Sequence, residues 1–245
     1  MRRRFIADTW TSTTAALTGD QAAHLARVLR AEPGQIYDVV AGGFLHRAEI
    51  TSATESQVSF LLHEELEADA ALPLHLLLAI FKFDHLEWAI EKATELGVAR
   101  IAPILARRTE KHLAQAAAKR VERWRRIAHE ASQQSRRTSV PEISDPTPLK
   151  AALERETAPL RILLSETEQT FTLANALGAP HLASEMWDAI TALAIGPEGG
   201  WTAEEMALFT QHNWTHVTLG PRILLAETAA IAAIAIVGSY IAGQA

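Results

Sequence analysis

Near its C-terminal end the chain passes twice from an apolar, strand-like run through a turn of glycine and proline into a helix. The first passage covers residues 195–205 (IGPEGGWTAEE), and the second begins at residues 219–224 (LGPRIL). In a parallel α/β sheet, turns of this kind lie at the carboxyl ends of strands, where ligands bind. Glycine there allows positive φ angles and a close approach of the backbone to a ligand. The two turns therefore predict one pocket built mainly from main-chain atoms.

Strand and helix patterns alternate after Pro73. The continuous apolar run 74–81 predicts a strand that is covered on both faces, and the helix predicted over 84–96 ends before Gly97. Further strands are predicted over 98–105, 161–165, 189–195 and 215–219, and further helices over 114–135, 149–156, 202–212 and 227–241. This alternation predicts an α/β fold with a parallel sheet.

The first part of the chain has a different, β-rich pattern. Strands are predicted over 4–6, 36–41, 44–51 and 58–62, with one helix over 20–30 and a hairpin turn at Gly42-Gly43. An acidic link over 64–69 follows. We therefore expect a small β-barrel in residues 1–70 and an α/β domain in residues 71–245.

Composition excludes several classes of protein. The chain has no cysteine, so disulfides and thiolate metal sites are absent, and its ten histidines show no metal-ligand spacing. The basic start of the chain has no apolar run behind it and is not a secretory signal. The apolar segment 229–242 is too short to span a bilayer. These features predict a cytoplasmic protein with no metal and no membrane partner.

Charge is unevenly distributed along the chain. The net charge is −6, yet residues 107–137 carry ten basic and three acidic side chains, so this segment is +7 and the rest is −13. A local positive field favours capture of a polyanion such as RNA. The alternative interpretation is a solvated helix face.

The two turns and the residues after them have structural alternatives. Residues 196–200 (GPEGG) match neither a P-loop nor the dinucleotide fingerprint, so they form either a plain turn or, as we favour, a ligand loop. Arg222 and Glu227 could serve catalysis or form a surface ion pair near a helix start. Glu227 and Thr228 could also be helix caps.

Several separate blocks carry a resemblance to one family. They are H24-L-x-x-V-L-R30, residues 91–98 (EKATELGV), E130-A-x-Q-x-x-R136 and the two late turns. In this order, from Arg3 to the C-terminal helix, they resemble the ribosomal RNA small-subunit methyltransferase E family of the SPOUT superfamily.

The resemblance implies a PUA-like β-barrel for RNA in residues 1–70 and a SPOUT methyltransferase domain with a trefoil knot in residues 71–245. It implies S-adenosylmethionine as methyl donor and N3 of a uridine in 16S ribosomal RNA, within the small ribosomal subunit, as acceptor. It also implies a homodimer, with the knot region and the apolar terminal helix at the interface.

The resemblance also assigns residues to roles. The cofactor-binding residues would be Ser165, Ile195, Gly196, Pro197, Glu198, Gly199, Gly200, Leu219, Gly220, Arg222, Ile223, Leu224, Thr228 and Ala229. Uridine N3 must lose a proton before it attacks, which requires a base or a stabilising cation. Arg222 is the predicted cation, and Glu227 is a candidate for handling the proton. RNA would bind to Arg3, Arg4, Arg27, Arg30, Lys92, Arg107 and Arg136.

Two departures from the family pattern leave rival functions open. Leu225 stands where the family has an arginine, and Phe81-Lys82-Phe83-Asp84 replaces a glycine-rich turn. One rival is another SPOUT enzyme that methylates the ribose 2′-oxygen of RNA. The other is an RNA-binding assembly factor with weak catalysis.

Overall fold

A computed structural model describes residues 4–68, 70–179 and 189–243 of the chain. They divide into two compact units. The first unit comprises Met1–Ala70 together with Ser132–Ser139, and the second comprises Ala71–Ala131 and Val140–Ala245. The first unit thus includes a short segment from the middle of the chain.

The first unit is a curled, mainly antiparallel sheet of six strands in the order β1-β4-β5-β6-β3-β2. Only β1 and β4 pair in parallel. Register shifts in the β5–β6 pair bend the sheet around its core. The strands are β1 (Arg4–Ile6), β2 (Thr9–Trp10), β3 (Thr14–Thr18), β4 (Ile36–Ala41), β5 (Phe44–Ala53) and β6 (Gln57–Leu66).

The hairpin predicted at Gly42-Gly43 is confirmed by the pairing of β4 with β5, and both glycines have positive φ. The helix predicted over 20–30 differs in form. It consists of α1 (Gly19–Ala23) followed by a π-helical turn over His24–Val28. The wider turn buries Leu25 but leaves Val28 65% exposed, so the two side chains do not share a buried face.

The second unit contains a seven-stranded parallel sheet in the order β10-β8-β7-β12-β11-β13, with β9 paired to β8. The predicted parallel α/β architecture is therefore confirmed. The strands are β7 (Leu72–Ala79), β8 (Val98–Leu105), β9 (Glu142–Ile143), β10 (Thr147–Pro148), β11 (Leu160–Leu164), β12 (Thr191–Ile195) and β13 (Thr215–Val217).

Helices follow the strands of the second unit. They are α2 (Phe83–Glu95), α3 (Lys111–Ala116), a 3₁₀ turn (Ala117–Arg120), α4 (Val121–Gln134), α5 (Leu149–Arg155), α6 (Leu173–Leu177), α7 (Ala203–Gln211) and α8 (Ala226–Ala242). The predicted helix over 114–135 is thus divided by a 3₁₀ turn and begins earlier. Gly97 follows α2 with a φ of +96°, which confirms its role at the C-terminal end of that helix.

Both faces of the parallel sheet are buried, as the apolar run in β7 predicts. Leu76 and Leu78 pack into a core that includes α2, α4 and α8, whereas Leu77 and Ala79 pack into a second core with α5 and α7. The second half of β7, Leu76–Ala79, therefore carries no polar side chain. Within the described ranges, no helix combines the length and apolarity that crossing a membrane requires.

A buried acid joins α5 to the middle of the sheet. The Glu156 carboxylate is 3.1 Å from His75 Nδ1 and accepts a hydrogen bond of 2.8 Å from the backbone N–H of Ala158. Burial raises the pKa of Glu156, but the hydrogen bonds from His75 and Ala158 outweigh burial and leave this pKa below its usual value.

We expect Glu156→Gln to lower the free energy of unfolding by about 1–2 kcal/mol at pH 7, because a charge-assisted hydrogen bond is lost. A lowered folded-state pKa gives stability that is present above the unfolded pKa and is lost as the pH falls. The difference in unfolding free energy between Glu156→Gln and the parent protein should therefore narrow below about pH 4.

Urea denaturation at several pH values measures this effect. Glu154→Gln is the control, because Glu154 is exposed and lies 4.0 Å from Lys150 at the surface of the same helix. Equal losses of unfolding free energy in Glu156→Gln and Glu154→Gln at pH 7 would contradict the stabilising role of the Glu156 carboxylate.

Candidate functional site

A cavity of about 710 Å³ lies at the carboxyl ends of β11, β12 and β13. These strands lie side by side with β7 in the order β7-β12-β11-β13, so the turns that follow them meet at one edge of the sheet. The lining residues are Leu164–Gln169, Ile195–Glu198, Gly200, Trp201, Met206, Val217–Ala226 and Ala229.

The turn after β12 forms one wall, and its shape requires glycine. Gly200 has a φ of +69°, which favours glycine, and a Cβ atom there would displace the end of the Glu166 side chain. A Cβ atom on Gly196 would lie 3.0 Å from Trp201 Nε1. The backbone N–H of Gly200 donates to the Pro197 carbonyl at 2.8 Å and closes the turn. Side chains are thus excluded from a wall made of main chain.

The turn after β13 leaves its main chain open to the cavity. Gly220 has a φ of +116°, and the Thr218 hydroxyl bonds both the N–H and the carbonyl of Gly220. The three peptide units that follow, Arg222–Leu224, make no hydrogen bond within the part of the chain that the structure describes. Arg222 and Ile223 are exposed, so the peptide groups of this segment are open to solvent and available to a ligand.

The turn after β11 supplies acidic groups. The Glu168 carboxylate accepts hydrogen bonds from the backbone N–H groups of Phe171 and Thr170, which hold the pKa of Glu168 at about 2. Glu166 lies against Gly200 and has no hydrogen bond or ion pair among the described residues. With Glu198, three carboxylates and the single guanidinium of Arg222 line the cavity. The charged side chains around it therefore favour a cationic ligand.

The buried acid Glu205 anchors the glycine turn that follows β12. Glu205 accepts hydrogen bonds from the backbone N–H of Thr202 at 2.9 Å and from that of Arg107 at 2.8 Å. Thr202 and Glu205 also form a capping box at the start of α7, where the predicted helix over 202–212 begins. The carboxylate thereby links the end of the glycine turn to the loop after β8.

Twelve of the fourteen predicted cofactor residues line the cavity. Gly199 and Thr228 do not. The Gly199 carbonyl accepts a hydrogen bond from Arg108 Nη1, and a Cβ atom on Gly199 would meet the Arg108 side chain. Thr228 is exposed on the first turn of α8. The prediction missed Glu166, Thr167 and Glu168, which follow the predicted strand over 161–165 and were marked only by that position.

The two predicted catalytic residues have different environments. Arg222 is exposed, lines the cavity and has no ion pair in the described ranges. Glu227 is buried outside the lining, and its Oε1 lies 2.6 Å from Nδ1 of His85. The hydrogen bond to Glu227 raises the pKa of His85. The alternative of a surface ion pair between Arg222 and Glu227 is therefore wrong, because Glu227 pairs with His85.

Three of the six predicted RNA-binding side chains that the structure describes already have partners. In the first unit, Arg4 donates to the Arg136 carbonyl, Arg27 pairs with Glu55, and Arg30 has a left-handed φ of 49°. In the second unit, Lys92 pairs with Glu91 and Glu95, and Arg107 is exposed. Arg3 lies outside the described residues.

Much of the positive segment 107–137 is neutralised locally. Arg120 and Arg123 both pair with Glu87, and Arg125 pairs with Glu122 and Asp145. These contacts fit the interpretation of a solvated helix face for that part of the segment. Among the described residues, no group of three or more histidine or carboxylate side chains is placed to hold a metal ion.

We expect Glu205→Ala to lower the free energy of unfolding by about 1–3 kcal/mol, because the backbone N–H groups of Thr202 and Arg107 lose the buried carboxylate that accepts their hydrogen bonds. The control is Glu204→Ala, since Glu204 is the exposed neighbour on the same first turn of α7. Thermal or urea unfolding measures the loss of stability in each of the two variants. Loss of stability in Glu204→Ala alone would contradict the anchoring role of Glu205.

Comparison with known proteins places this fold among RNA methyltransferases. Residues 68–238 match the family described as an RNA methyltransferase domain. The chain is 32% identical to ribosomal RNA small subunit methyltransferase E of Bacillus subtilis over 90% of this chain and 88% of that protein. It is 34% identical to the protein of the same name from Synechocystis over 91% of this chain and 72% of that protein.

Two solved structures extend the comparison to a bound ligand. A ribosomal RNA small subunit methyltransferase E from Neisseria gonorrhoeae, bound to S-adenosylmethionine, superposes with a TM-score of 0.83 at 28% identity. A putative methyltransferase from Legionella pneumophila, also with bound S-adenosylmethionine, superposes with a TM-score of 0.82 at 28% identity. Each match covers 98% of both chains.

Proposed function

This chain belongs to the ribosomal RNA small subunit methyltransferase E family, and from that premise we propose that it transfers a methyl group from S-adenosylmethionine to N3 of a uridine in 16S ribosomal RNA. The observation that carries the proposal is the cavity at the carboxyl ends of β11, β12 and β13. Its volume of about 710 Å³ lies within the range of small-molecule sites. Relatives of similar fold bind S-adenosylmethionine.

The residues present fit this donor. The unpaired peptide groups over Arg222–Leu224 offer main-chain hydrogen bonds to the adenine and methionine parts. The Glu166 and Glu168 carboxylates suit the positive sulfonium and amino groups. When bound, S-adenosylmethionine supplies an electrophilic methyl group, and the main work of the protein is to align the acceptor.

Arg222 is the cation in this mechanism. Uridine N3 carries a proton in its neutral form, and its loss leaves negative charge on N3 and the neighbouring carbonyl oxygens. Its guanidinium lines the cavity, has no ion pair among the residues that the structure describes, and stabilises that charge. Leu225, which is 62% exposed beside Arg222, offers no second cation where the family has an arginine.

The wider family features belong to the same proposal. The curled sheet would be a PUA-like RNA-binding domain, and the parallel unit would be a SPOUT domain with a trefoil knot. The protein would act on the small ribosomal subunit in the cytoplasm. A homodimer would form through the knot region and α8, whose apolar outer face includes the partly exposed Ile236.

Mass spectrometry of ribosomal RNA nucleosides tests the reaction. In cells that lack the gene, 3-methyluridine should disappear from 16S ribosomal RNA and return when the gene is restored. A missing ribose 2′-O-methylation instead would favour the rival SPOUT enzyme. An unchanged nucleoside profile would contradict a methyltransferase and favour an assembly factor.

We expect Gly220→Ala to raise the Kd for S-adenosylmethionine by about tenfold or more. Alanine at this positive φ is strained by roughly 1–3 kcal/mol. Relief of that strain would shift the open turn after β13 and weaken its contacts with the donor. Isothermal titration calorimetry measures the Kd. Gly34→Ala is the control, because Gly34 also has positive φ with open space around it but lies in the first unit. Equal Kd values for both variants would exclude this turn from the donor site.

A further inference from the structure

Glu227 is a buried carboxylate whose partner is an imidazole. Its side chain is 5% exposed, and it lies on the first turn of α8, directly after the cavity-lining residues Leu225 and Ala226. A buried charge requires a partner. His85 is the partner that the described residues provide, with Nδ1 2.6 Å from Glu227 Oε1.

His85 presents its other ring nitrogen to solvent. Its side chain is 43% exposed, and Nε2 lies 3.7 Å from Asp84 Oδ2, which is too long for a hydrogen bond. Because Nδ1 donates its proton to Glu227, Nε2 of the neutral ring is an acceptor. A carboxylate that fixes the tautomer of a histidine in this way prepares the free nitrogen to take a proton.

The pair lies at the same edge of the sheet as the cavity. His85 is on the first turn of α2, which begins just after β7. β7 pairs with β12, with Leu78 opposite Ile195, so both strands end at the level of the glycine turn. Glu227 approaches from α8, which begins where the turn after β13 ends. The imidazole is thus held between the starts of α2 and α8, at the edge of the sheet where the cavity opens, and neither His85 nor Glu227 is itself a lining residue.

From this geometry we infer that His85 is the general base that removes the proton from uridine N3, and that Glu227 is a positioning residue that holds and orients its imidazole. The inference rests on the proposed function and names a catalytic residue within it. His85 was not among the predicted site residues, and its signal in the sequence was the altered segment 81–84 immediately before it.

Proton transfer to His85 accompanies the transfer of the methyl group. The N3 proton moves to His85 Nε2, and the N3 electron pair forms a bond to the methyl carbon as the carbon–sulfur bond breaks. The electron pair of that bond stays on sulfur, which becomes the neutral thioether of S-adenosylhomocysteine. The resulting imidazolium is stabilised by Glu227 and releases its proton to water.

The charged groups around His85 set the direction of the pH dependence. The hydrogen bond to Glu227 raises the pKa of His85 most, Asp84 raises it further, and partial desolvation and Lys82 lower it. A general base is most effective when its pKa lies near the working pH. Only the unprotonated ring accepts a proton, so kcat should rise with pH through the elevated pKa of His85.

We expect His85→Gln to reduce kcat by about 10²-fold or more and to remove this inflection from the pH profile. Donor binding measured by calorimetry should be unchanged. Glu227→Gln should keep part of the activity and move the inflection to lower pH. His112→Gln is the control, since His112 is an exposed histidine 3.4 Å from Glu110.

The measurement uses the full-length protein, S-adenosylmethionine and small-subunit ribosomal RNA or particles, with 3-methyluridine as readout. An NMR titration of the His85 ring in the parent protein and in Glu227→Gln gives the pKa directly, even where a variant at His85 fails to fold. A ring pKa unaffected by Glu227→Gln would overturn the positioning role.

An active parent protein with an unchanged kcat and pH profile in His85→Gln would overturn the base assignment and leave the proposed function standing. A kcat that falls as the pH rises through the pKa of His85 would also overturn the base assignment. A folded parent protein that binds the donor but forms no 3-methyluridine would overturn the proposed function together with this inference.

Discussion

The burial of the parallel sheet on both faces is the constraint on which the rest of the second unit depends. Leu76 and Leu78 face one core and Leu77 and Ala79 the other, so the second half of β7 has no face left for polar side chains. The polar groups are therefore concentrated where the strands end. At that edge, Gly200 and Gly220 turn the chain at φ values of +69° and +116°, and at these two positions only main chain lines the cavity.

Electrostatics complements this arrangement in two separate ways. Toward the cavity, Glu166 and Glu168 provide negative charge, and backbone N–H groups keep Glu168 ionised, with a pKa of about 2. Beside it, Glu227 is buried and directs its charge at His85. The first group suits a cationic donor, and the second suits a base that gains a proton as the acceptor loses one.

Local patterns sufficed for much of the fold. The strand predicted over 98–105 coincides with β8, and the helix start predicted at residue 202 and the C-terminal glycine at Gly97 are confirmed. The 3₁₀ turn over Ala117–Arg120 was missed because alanine and basic residues favour an uninterrupted helix. The pairing of His85 with Glu227 joins residues 142 positions apart, and no local pattern marks so distant a contact.

A structure determined from a crystal of this protein soaked with S-adenosylmethionine tests most directly whether the cavity is the donor site. The account predicts density for the donor in the cavity, with hydrogen bonds to the peptide groups of Arg222–Leu224 and its sulfonium facing the acidic turn after β11. Donor density at another site, with these peptide groups still open to solvent, would contradict it.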